Sequence, residues 1–494
     1  MGMSGMEWRE IEWKMIDTKD WRSTIHKKLN EADSGILYYG VMPGERSSDP
    51  PLLVALLSEK REKKILGYAA EVHHLATKVP SLSEAHPAFL WMEREMHEKW
   101  GLEFDGNPNS APLFRPDQHE LSGVAEGAGV FHLPLGPVRA DVSESGHFLF
   151  DTLGEQIMHL QVQLFWKHRG MEKMAVGRDL DDGRLLAERI SGTSTVAHAV
   201  AFARAAEQAC HRHPGMVVET ERALFGEWER LYNHVHDMAQ MASAAGMTVG
   251  QAQLSRVKEE LLRMNARLIG SRYLREAVLP FRNSPVNWSE WRIPVQEVLR
   301  QASDRVDRFV DLLLRTPTFV DRYHGTGILP AKWASAYGVV GPTARASGLE
   351  TDTRADWLAD LYLPHGFQMA TPGSTRGDAL ARFHIRLEEW NHSLKLVERL
   401  MEFLQEMPSP IALPPNDGRS SDIGVGIGAS ESPRGRVVHV LRVNEQEKID
   451  FWGIRAASSW NWPVFGIVTA NGNIQTDFPI IDASFGLSYA GNDR

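Results

Sequence analysis

Two serines stand where a metal-binding pair of cysteines would fit. Ser191 and Ser194 lie three residues apart in the stretch ERISGTSTVAHA, directly after Arg189 and Ile190. Cysteines at this spacing bind metals through two thiolates. A serine hydroxyl has a much higher pKa than a thiol and is a hard, weak ligand, so it does not replace a thiolate on a soft metal. The stretch predicts the surroundings of a metal site without its thiols.

The segment before these serines is dense in charged side chains, and the segment after them is not. FWKHRGMEKMAVGRDLDDGRLLAERISG runs directly into STVAHAVAFARAAEQA, an Ala-rich and almost uncharged helix suited to burial. The charged segment is either a solvated helix face or the wall of a polar, semi-enclosed site, and the buried helix favours the second interpretation. Its ionisable residues are His168, Arg169, Glu172, Lys173, Arg178, Asp179, Asp181, Asp182, Glu188 and Arg189.

Two other motifs do not have the residue spacing of a binding site. The three glycines of DIGVGIGAS do not have the spacing of a dinucleotide fingerprint, so we expect no nucleotide site there. The stretch CHRHPG offers Cys210, His211 and His213, but no fourth metal ligand is near it in sequence. A surface turn is the better interpretation of that stretch.

The elements that must position the serines begin with an α/β unit. Residues 51–58 and 64–72 predict two strands around a charged turn, and Gly101 predicts the end of the helix that follows. The Gly-, Pro- and Asn-rich residues 106–136 predict a connection between domains. The predicted helix has the apolar stripe Phe89, Met92, Met96 and Trp100.

Beyond this connection the chain is mainly helical. Four long amphipathic stretches predict a helical bundle, and GRVVHVLRVNEQEKIDFWGIRA predicts a β-hairpin near the end of the chain. The fold class is therefore α+β. Two of the apolar stripes are Leu224, Trp228, Leu231, Val235 and Met238, and then Leu254, Val257, Leu261, Met264 and Leu268.

Composition excludes several classes of protein. The net charge of -10 and pI near 6.1 argue against a nucleic-acid-binding face. No apolar stretch is long enough to span a membrane, and the charged first ten residues lead us to expect no secretory signal. The one cysteine, Cys210, cannot form a disulfide within the chain or hold an iron–sulfur cluster, which favours a reduced, cytosolic setting.

Several motifs in order resemble a known pair of families. HLPLGPVRADVSESGHFLF, LFWKHRGMEKMA, AERISGTSTVAHAVAFA and EWERLYNHV are followed by GPTARASGLETDTRAD, ASESPRGRVVHVL, WGIRAASSWNWPV and DFPIIDASFGLSYAGNDR. Together they resemble the large subunit of membrane-bound, energy-converting nickel–iron hydrogenases of the formate hydrogenlyase type, and the 49-kDa quinone-site subunit of complex I. PSLSEAHPAFLWMEREMHEKWGLEFDGNPN is similar to the 30-kDa subunit of complex I.

The resemblance implies a domain order. Formate hydrogenlyase large subunits carry the 30-kDa-like domain in front of the hydrogenase-like one. We therefore predict an α/β 30-kDa-like domain over 1–115, a linker over 116–132 and a mainly helical hydrogenase-large-subunit or 49-kDa-like domain over 133–494. The second domain should have a small antiparallel sheet near its start and the hairpin near its end.

The resemblance also identifies what the serines replace. In these hydrogenases two C-x-x-C pairs hold nickel and iron, and the four matching positions here are Ser191, Ser194, Ser488 and Gly491. All four thiolates are missing, so we expect no nickel–iron centre and no metal bound by this chain.

The quinone ligands of the complex I relatives are also replaced. Their tyrosine position falls on Gly192, and their histidine position falls on Arg139 in the loop GPVRADVSESGHF. His147 is an alternative match, because this loop is longer than in the relatives and its alignment stays open.

The charged residues around the site are kept at positions where both relatives also have charged residues. Buried charges of this kind relay protons or merely link helices, and both interpretations stay open. As cavity and proton-relay residues we predict Glu188, Arg189, His147 and Asp493, and as carrier-binding positions Ser191, Gly192, Ser194, Ser488 and Gly491. The shared charged positions are Glu188, Arg189, His168, Arg169, Glu172, Lys173, Arg345, Arg354, Asp356 and Asp493.

The resemblance implies a subunit of an oxidoreductase, peripheral on the cytoplasmic face of the cell membrane. Its expected partners are a small subunit that carries 4Fe–4S clusters and antiporter-like membrane subunits, with no nucleic acid. A quinone or another small carrier is the expected electron acceptor, coupled to ion movement. The alternative is a non-catalytic scaffold subunit of the same complex, which the loss of both active-site chemistries favours.

Overall fold

The computed structural model describes residues 10–31, 34–46, 48–59, 62–72, 78–109, 111–114, 120–139, 144–371, 373–406 and 424–494. The first nine residues of the predicted 30-kDa-like domain and residues 116–119 of the predicted linker lie outside this described part. So do residues 140–143 of the loop that holds Arg139.

The N-terminal unit is a mixed four-stranded sheet with helices against it. In order along the chain its elements are β1 (Ile11–Met15), α1 (Trp21–Leu29), β2 (Ser34–Met42), β3 (Leu52–Glu59), β4 (Lys64–Glu71), β5 (Lys78–Pro80), α2 (Leu90–Trp100) and β6 (Glu103–Asp105).

The strand order is β1-β4-β3-β2, with β1 parallel to β4 and the other pairs antiparallel, while β5 and β6 form a separate parallel pair. The predicted strands over 51–58 and 64–72 are confirmed as β3 and β4. The predicted helix is confirmed as α2, and it ends where predicted because Gly101 adopts a left-handed φ of 68°.

A three-stranded antiparallel sheet opens the second part of the chain, as predicted. It consists of β7 (Val130–Leu135), β8 (His147–Leu153) and β9 (Gln156–Gln163) in that order. Because β7 begins at Val130, the last three residues of the predicted linker lie in this sheet. The short helices α3 (Met171–Ala175) and α4 (Leu180–Ala187) then lead to the buried helix α5 (Thr195–Ala209).

Long helices form the predicted bundle. The two stripes predicted from the sequence face its core in α6 (Met216–Ala244) and α7 (Thr248–Ile269), where all their members are buried except the half-buried Leu268. The remaining helices of this region are α8 (Trp288–Leu314), α9 (Pro317–Tyr323), α10 (Ala331–Ala336), α11 (Gly341–Ala346), α12 (Thr353–Asp356), α13 (Ala359–Tyr362) and α14 (Ala379–Glu406). Short 3-10 turns span Thr18–Asp20, Pro87–Phe89, Leu363–His365 and Gln475–Asp477.

A second three-stranded antiparallel sheet packs on α5. It is built from β10 (Val425–Ser432), β11 (Gly435–Val443) and β12 (Ile449–Arg455), so the predicted hairpin is confirmed as β11 and β12. The chain continues through α15 (Ala457–Ala470), α16 (Phe478–Phe485) and α17 (Tyr489–Asp493).

The glycines of DIGVGIGAS have a packing role in this sheet. Any side chain at Gly426 or Gly428 would collide with the backbone carbonyls of Ala205 and Ala201 on α5. Glycine at alternate positions of β10 therefore lets the helix backbone approach the strand closely.

The two parts of the chain share one core and one buried ion network. Trp21 and Phe89 belong to the same apolar cluster as Ala201, Val437 and Trp460. The ion network joins α2 to β12 and α3: Arg455 donates to Glu95 over 2.9 Å, and Lys99 donates to Glu172 over 2.8 Å. Arg494 donates to Glu95 as well.

Candidate functional site

The serine of the first predicted pair touches the serine of the second. The hydroxyl oxygens of Ser191 and Ser488 lie 2.9 Å apart, although 297 residues separate them in sequence. Both residues are buried, at 2 % and 8 % exposure. The hydroxyl of Thr193 lies 3.0 Å from that of Ser191 and extends the contact. The residues that resemble the two halves of one metal site therefore meet in one place, which we call the serine site.

Helix starts position the two serine pairs. Ser194 is the residue before α5, and Ser488 is the residue before α17, where its hydroxyl accepts the Gly491 N–H over 3.0 Å. A side chain at Gly491 would point its first carbon at the Ser488 hydroxyl, 3.3 Å away. In this way Gly491 also lies at the serine site.

The start of α5 is held by a carboxylate from another helix. Buried Glu229 on α6 accepts the backbone N–H groups of Val196 and Ala197 over 2.8 and 3.0 Å. Burial raises the pKa of Glu229 to about 7. This contact was missed from the sequence, because nothing local to the serines marks a residue on α6 as the cap of α5.

Arg169 ties the two serine segments together. Its guanidinium donates to the backbone carbonyls of Arg189 and Ile190, each over 2.7 Å, and to that of Ala490 over 3.0 Å. One side chain thus bridges the turn before Ser191 and the turn after Ser488.

Asp493 holds the segment that carries Arg169. Its carboxylate accepts the N–H of Phe165 over 2.8 Å and that of Lys167 over 3.0 Å, and its carbonyl accepts from His168 over 2.7 Å. Burial raises the pKa of Asp493 to about 6. The geometry gives this predicted relay residue a positioning role.

Glu188 is buried beside the Ser191 turn, and one of its two carboxylate oxygens accepts hydrogen bonds. Its Oε1 accepts from Arg184 and from the N–H of Glu276, each over 2.8 Å. Its Oε2 has no hydrogen bond and lies 3.7 Å from the guanidinium of Arg189, which is itself exposed. Burial raises the pKa of Glu188, against the opposing effect of these donors.

Other buried polar atoms around the serine site also lack hydrogen bonds among the described residues. They include the Thr195 hydroxyl and both side-chain polar atoms of Asn492, which is 1 % exposed. The Asn492 amide lies near enough to the Asp493 carboxylate to lower its pKa, but without the geometry of a hydrogen bond. Most buried polar groups in folded proteins are paired, so a group of unpaired ones calls for a ligand or water.

Gly192 lies on the open side of the Ser191 turn. It is exposed, and a side chain there would meet nothing within 4 Å. The serine site therefore has one side on which a ligand could approach without a collision.

His147 lies apart from the serines. It is the first residue of β8, and its ring contacts Trp166 with the centroids 6.2 Å apart. No hydrogen bond or ring contact joins it to the serine site in the described part of the chain. Arg139, the first match for the same histidine position, donates to the Tyr489 hydroxyl over 2.9 Å, so it reaches the residue next to Ser488.

A buried histidine near the serine site was also missed. His198 lies one helical turn after Ser194, and its Nδ1 is 2.9 Å from the Nε2 of His439 on β11. Trp452 on β12 donates its indole N–H to the other nitrogen of His439 over 3.2 Å. The spacing of Ser194 and His198 places both on one helix face, which was the available sequence signal.

The donor set of the serine site does not fit a nickel–iron centre. That centre needs soft thiolates, and the four positions offer three hydroxyls and a glycine. The chain has one cysteine, Cys210, at the other end of α5. Among the described residues, no group of three His, Cys, Asp or Glu side chains is arranged to hold a metal ion.

The long helices of the bundle are amphipathic rather than apolar all round. Within the described ranges, no helix combines the length and the apolar character needed to cross a bilayer.

Comparison with known proteins matches both parts of the chain. Residues 245–494 match the model of the respiratory-chain NADH dehydrogenase 49-kDa subunit, and residues 22–135 match that of the 30-kDa subunit. Formate hydrogenlyase subunit 5 of Escherichia coli is 27 % identical over 474 residues, which are 89 % of this chain and 81 % of that protein.

Two further relatives extend the comparison. An NADH-quinone oxidoreductase protein of Streptomyces griseus is 30 % identical over 59 % of this chain and 74 % of its own length. A chain of the archaeal membrane-bound sulfane sulfur reductase, a respiratory membrane complex, superposes with a TM-score of 0.68. At 20 % identity, over 74 % of this chain and 99 % of that one, it shows a shared fold.

Proposed function

This chain belongs to the family of the respiratory-chain NADH dehydrogenase 49-kDa subunits, with a 30-kDa-like part in front, and from that premise we propose that it is a peripheral subunit of a membrane-bound oxidoreductase complex. In this proposal the serine site holds no nickel–iron centre. It receives a quinone or another small electron carrier instead.

The observation that carries this proposal is the combination of the Ser191–Ser488 contact with unpaired polar atoms around it. In a site that serves only packing, buried polar atoms are normally replaced by apolar ones or paired within the protein. Here Glu188 Oε2 and the Asn492 amide are buried without hydrogen bonds, and Gly192 leaves open space at the turn. A carrier with carbonyl or hydroxyl groups would supply the missing partners.

Proton movement enters the proposal through Glu188. A quinone that takes up electrons also takes up protons, so a carboxyl group with a raised pKa beside the carrier is suited to deliver them. Asp493 and Arg169 hold the two serine segments in place around it. The electrons would come from 4Fe–4S clusters on a small partner subunit, and antiporter-like membrane subunits would couple the reaction to ion movement at the cytoplasmic face.

A scaffold function is the second candidate, and a specific observation favours it. Asp493 uses both carboxylate oxygens to hold backbone N–H groups, and Arg169 is engaged with backbone carbonyls, so neither is available to a substrate without rearrangement. The cluster-bearing partner subunit discriminates the two functions. If that subunit has lost its cluster cysteines, no electrons reach the serine site and the scaffold function holds.

The direct test uses the complex purified through a tag on this chain. Its iron–sulfur clusters are reduced and their reoxidation by added quinone is followed. Gly192→Trp should slow this reoxidation about 10-fold or more, because the indole would occupy the open side of the turn. Gly215→Trp is the matched control: Gly215 is also exposed with open space around it, but it lies at the start of α6.

Two outcomes would contradict the proposal. If quinone does not reoxidise the clusters of the unmodified complex, quinone is not the electron acceptor. If Gly192→Trp and Gly215→Trp reoxidise at equal rates, the carrier does not bind at the serine site.

A further inference from the structure

A cleft outside the serine site lies where the N-terminal part of the chain meets the second part. It is bounded by α2, β9 and α15, and by the connection that leads from the N-terminal part to β7. Its volume of about 430 Å³ is in the range of pockets that hold small molecules. Its walls are mainly apolar, and the side chains that form them include Leu90, Leu113, Leu160, Leu164, Trp462 and Ile467.

Within the described ranges, one arginine and no acidic side chain line this cleft. Arg94 on α2 donates through Nε to the Ala111 carbonyl over 2.7 Å and through Nη2 to the Pro112 carbonyl over 3.2 Å. No carboxylate in the described part of the chain forms an ion pair with Arg94, and its Nη1 makes no hydrogen bond there. The guanidinium is therefore held in place by carbonyl groups and has no counter-ion.

Burial makes this unbalanced charge unfavourable. Burial lowers the pKa of Arg94 to about 10, while the charge of Glu98 acts in the opposite direction. Glu98 accepts the N–H groups of Leu113 and Phe114 with its Oε2, over 2.7 and 2.9 Å. The guanidinium stays positive at neutral pH, so an anion that enters the cleft would supply the missing opposite charge.

Two neutral donors line the same cleft. The indole N–H of Trp91 and the hydroxyl of Tyr337 make no hydrogen bond to any residue that the structure describes. Burial raises the pKa of Tyr337, so its hydroxyl keeps its proton. These donors and Arg94 favour a ligand with acceptor oxygens, and the apolar walls favour a hydrocarbon chain on the same ligand.

We propose that this cleft is a second ligand site of the chain and that it binds an amphipathic monocarboxylate. The carboxylate lies on Arg94, and an alkyl chain lies along the apolar walls. A guanidinium binds a carboxylate through charge-assisted hydrogen bonds. Since the lining has a single cation, it balances one negative charge, which favours a carboxylate over a phosphate dianion.

The cleft shares a wall with the segment that carries Ser488. Trp462 lines the cleft and donates its indole N–H to the Ser488 carbonyl over 3.2 Å, and its ring packs on Tyr489 with the centroids 5.0 Å apart. A ligand in the cleft therefore contacts a side chain that holds this segment. Binding in the cleft needs no electron carrier, so a failure of the quinone proposal would leave this proposal standing.

Isothermal titration calorimetry on the purified full-length chain tests the site with octanoate and with 1-octanol, its neutral counterpart. We expect one octanoate per chain, bound about 10-fold or more tightly than 1-octanol, because the hydrogen bonds to a charged group are added to the same apolar contacts. Arg94→Leu should reduce the affinity for octanoate to that for 1-octanol.

Arg399→Leu is the matched control for Arg94→Leu. Arg399 is also held by backbone carbonyls, those of His365 and Gly366, and forms no ion pair among the described residues. It lies on α14, outside the cleft. Its substitution should leave the affinity for octanoate unchanged.

A second pair of variants leaves Arg94 and its carbonyl contacts in place. Ile467→Trp adds a bulky ring at an exposed residue of the cleft wall, so it should weaken the binding of both octanoate and 1-octanol about 10-fold or more. Ile293→Trp places the same ring at an exposed position of α8 outside the cleft and should change neither affinity.

Other results would overturn the proposal. If the unmodified chain binds no octanoate, or binds it no more tightly than 1-octanol, Arg94 does not select an anion. If Ile467→Trp and Ile293→Trp bind octanoate equally, the ligand lies outside the cleft. If the chain binds octyl phosphate more tightly than octanoate, or binds vesicles of phosphatidylglycerol but no octanoate, the ligand is a phosphate or a lipid headgroup and not a free carboxylate.

Discussion

Two buried polar regions of this protein differ in how completely their groups are paired. In the helical bundle the carboxylates of Glu227, Glu389 and Glu431 each accept from several donors. Glu389 receives Arg345 over 2.8 Å and His234 over 2.7 Å. We call this set of paired charges, with Arg230, Asp352 and Arg354, the bundle network.

The serine site is equally buried and is not paired in this way. Glu188 has a free oxygen, and the Asn492 amide has no hydrogen-bond partner among the described residues. Burial costs the carboxylates of both regions desolvation. In the bundle network both oxygens of Glu227, Glu389 and Glu431 are hydrogen-bonded within the chain, although Arg345 Nη2 and His234 Nδ1 lack hydrogen bonds among the described residues. In the proposed function, this difference separates carboxylates that fix the fold from a carboxylate that is open to the carrier.

The largest effect is expected from breaking the bundle network. Arg345→Met would leave three buried carboxylates, those of Asp352, Glu389 and Glu431, without a cation that each now contacts within about 3 Å. Removing one partner of a buried ion pair costs about 3–5 kcal/mol. Thermal unfolding of the complex should show a fall in Tm of about 3–5 °C or a loss of assembly.

Arg315→Met is the matched control, since Arg315 is a mostly exposed arginine paired with Asp311 on the surface. Its effect on Tm should be close to zero. If Arg345→Met were as harmless as this control, the bundle network would not differ from the serine site.

A smaller effect on stability and a larger one on turnover are expected from Glu188→Gln. The glutamine oxygen keeps the bonds from Arg184 and the Glu276 N–H, while the proton-carrying group is lost. Proton-coupled reoxidation of the clusters by quinone should slow about 10-fold or more. An unchanged rate would place Glu188 with the structural residues.

The pH dependence of this variant has a defined sign. Burial raises the pKa of Glu188 in the folded protein above its value in the unfolded chain. The contribution of Glu188 to stability is therefore fully present at pH values below the pKa of the unfolded state, and it is lost as pH rises through the pKa of the folded state. Relative to Glu188→Gln, the unmodified protein should therefore lose stability as pH rises. The measurement is the difference in Tm between the unmodified protein and Glu188→Gln, taken at pH 5 and again at pH 8.

The sequence predicted local elements well and the pairing of buried groups poorly. Stripes such as Leu224 to Met238 defined α6, and Gly101 defined the end of α2, because periodicity and capping are local. The resemblance placed Ser191 and Ser488 close together, and their hydroxyl oxygens lie 2.9 Å apart. Whether an individual oxygen is paired depends on tertiary contacts, so the sequence could not show that Glu229 caps α5 or that Glu188 keeps a free oxygen.

The smallest effect is expected from Ser191→Ala, and it tests the comparison most directly. The substitution removes the hydroxyl contacts of Ser191 with Ser488 and with Thr193 and leaves the bond from Gly491 to Ser488 intact. Each hydrogen bond contributes about 1 kcal/mol, so Tm should fall by only about 1–2 °C, a little more than for the exposed control Ser289→Ala. A fall as large as that of Arg345→Met would mean that the serine contact holds the fold together. The unpaired atoms around it would then be gaps in a structural core, and the reason to place a carrier there would be lost.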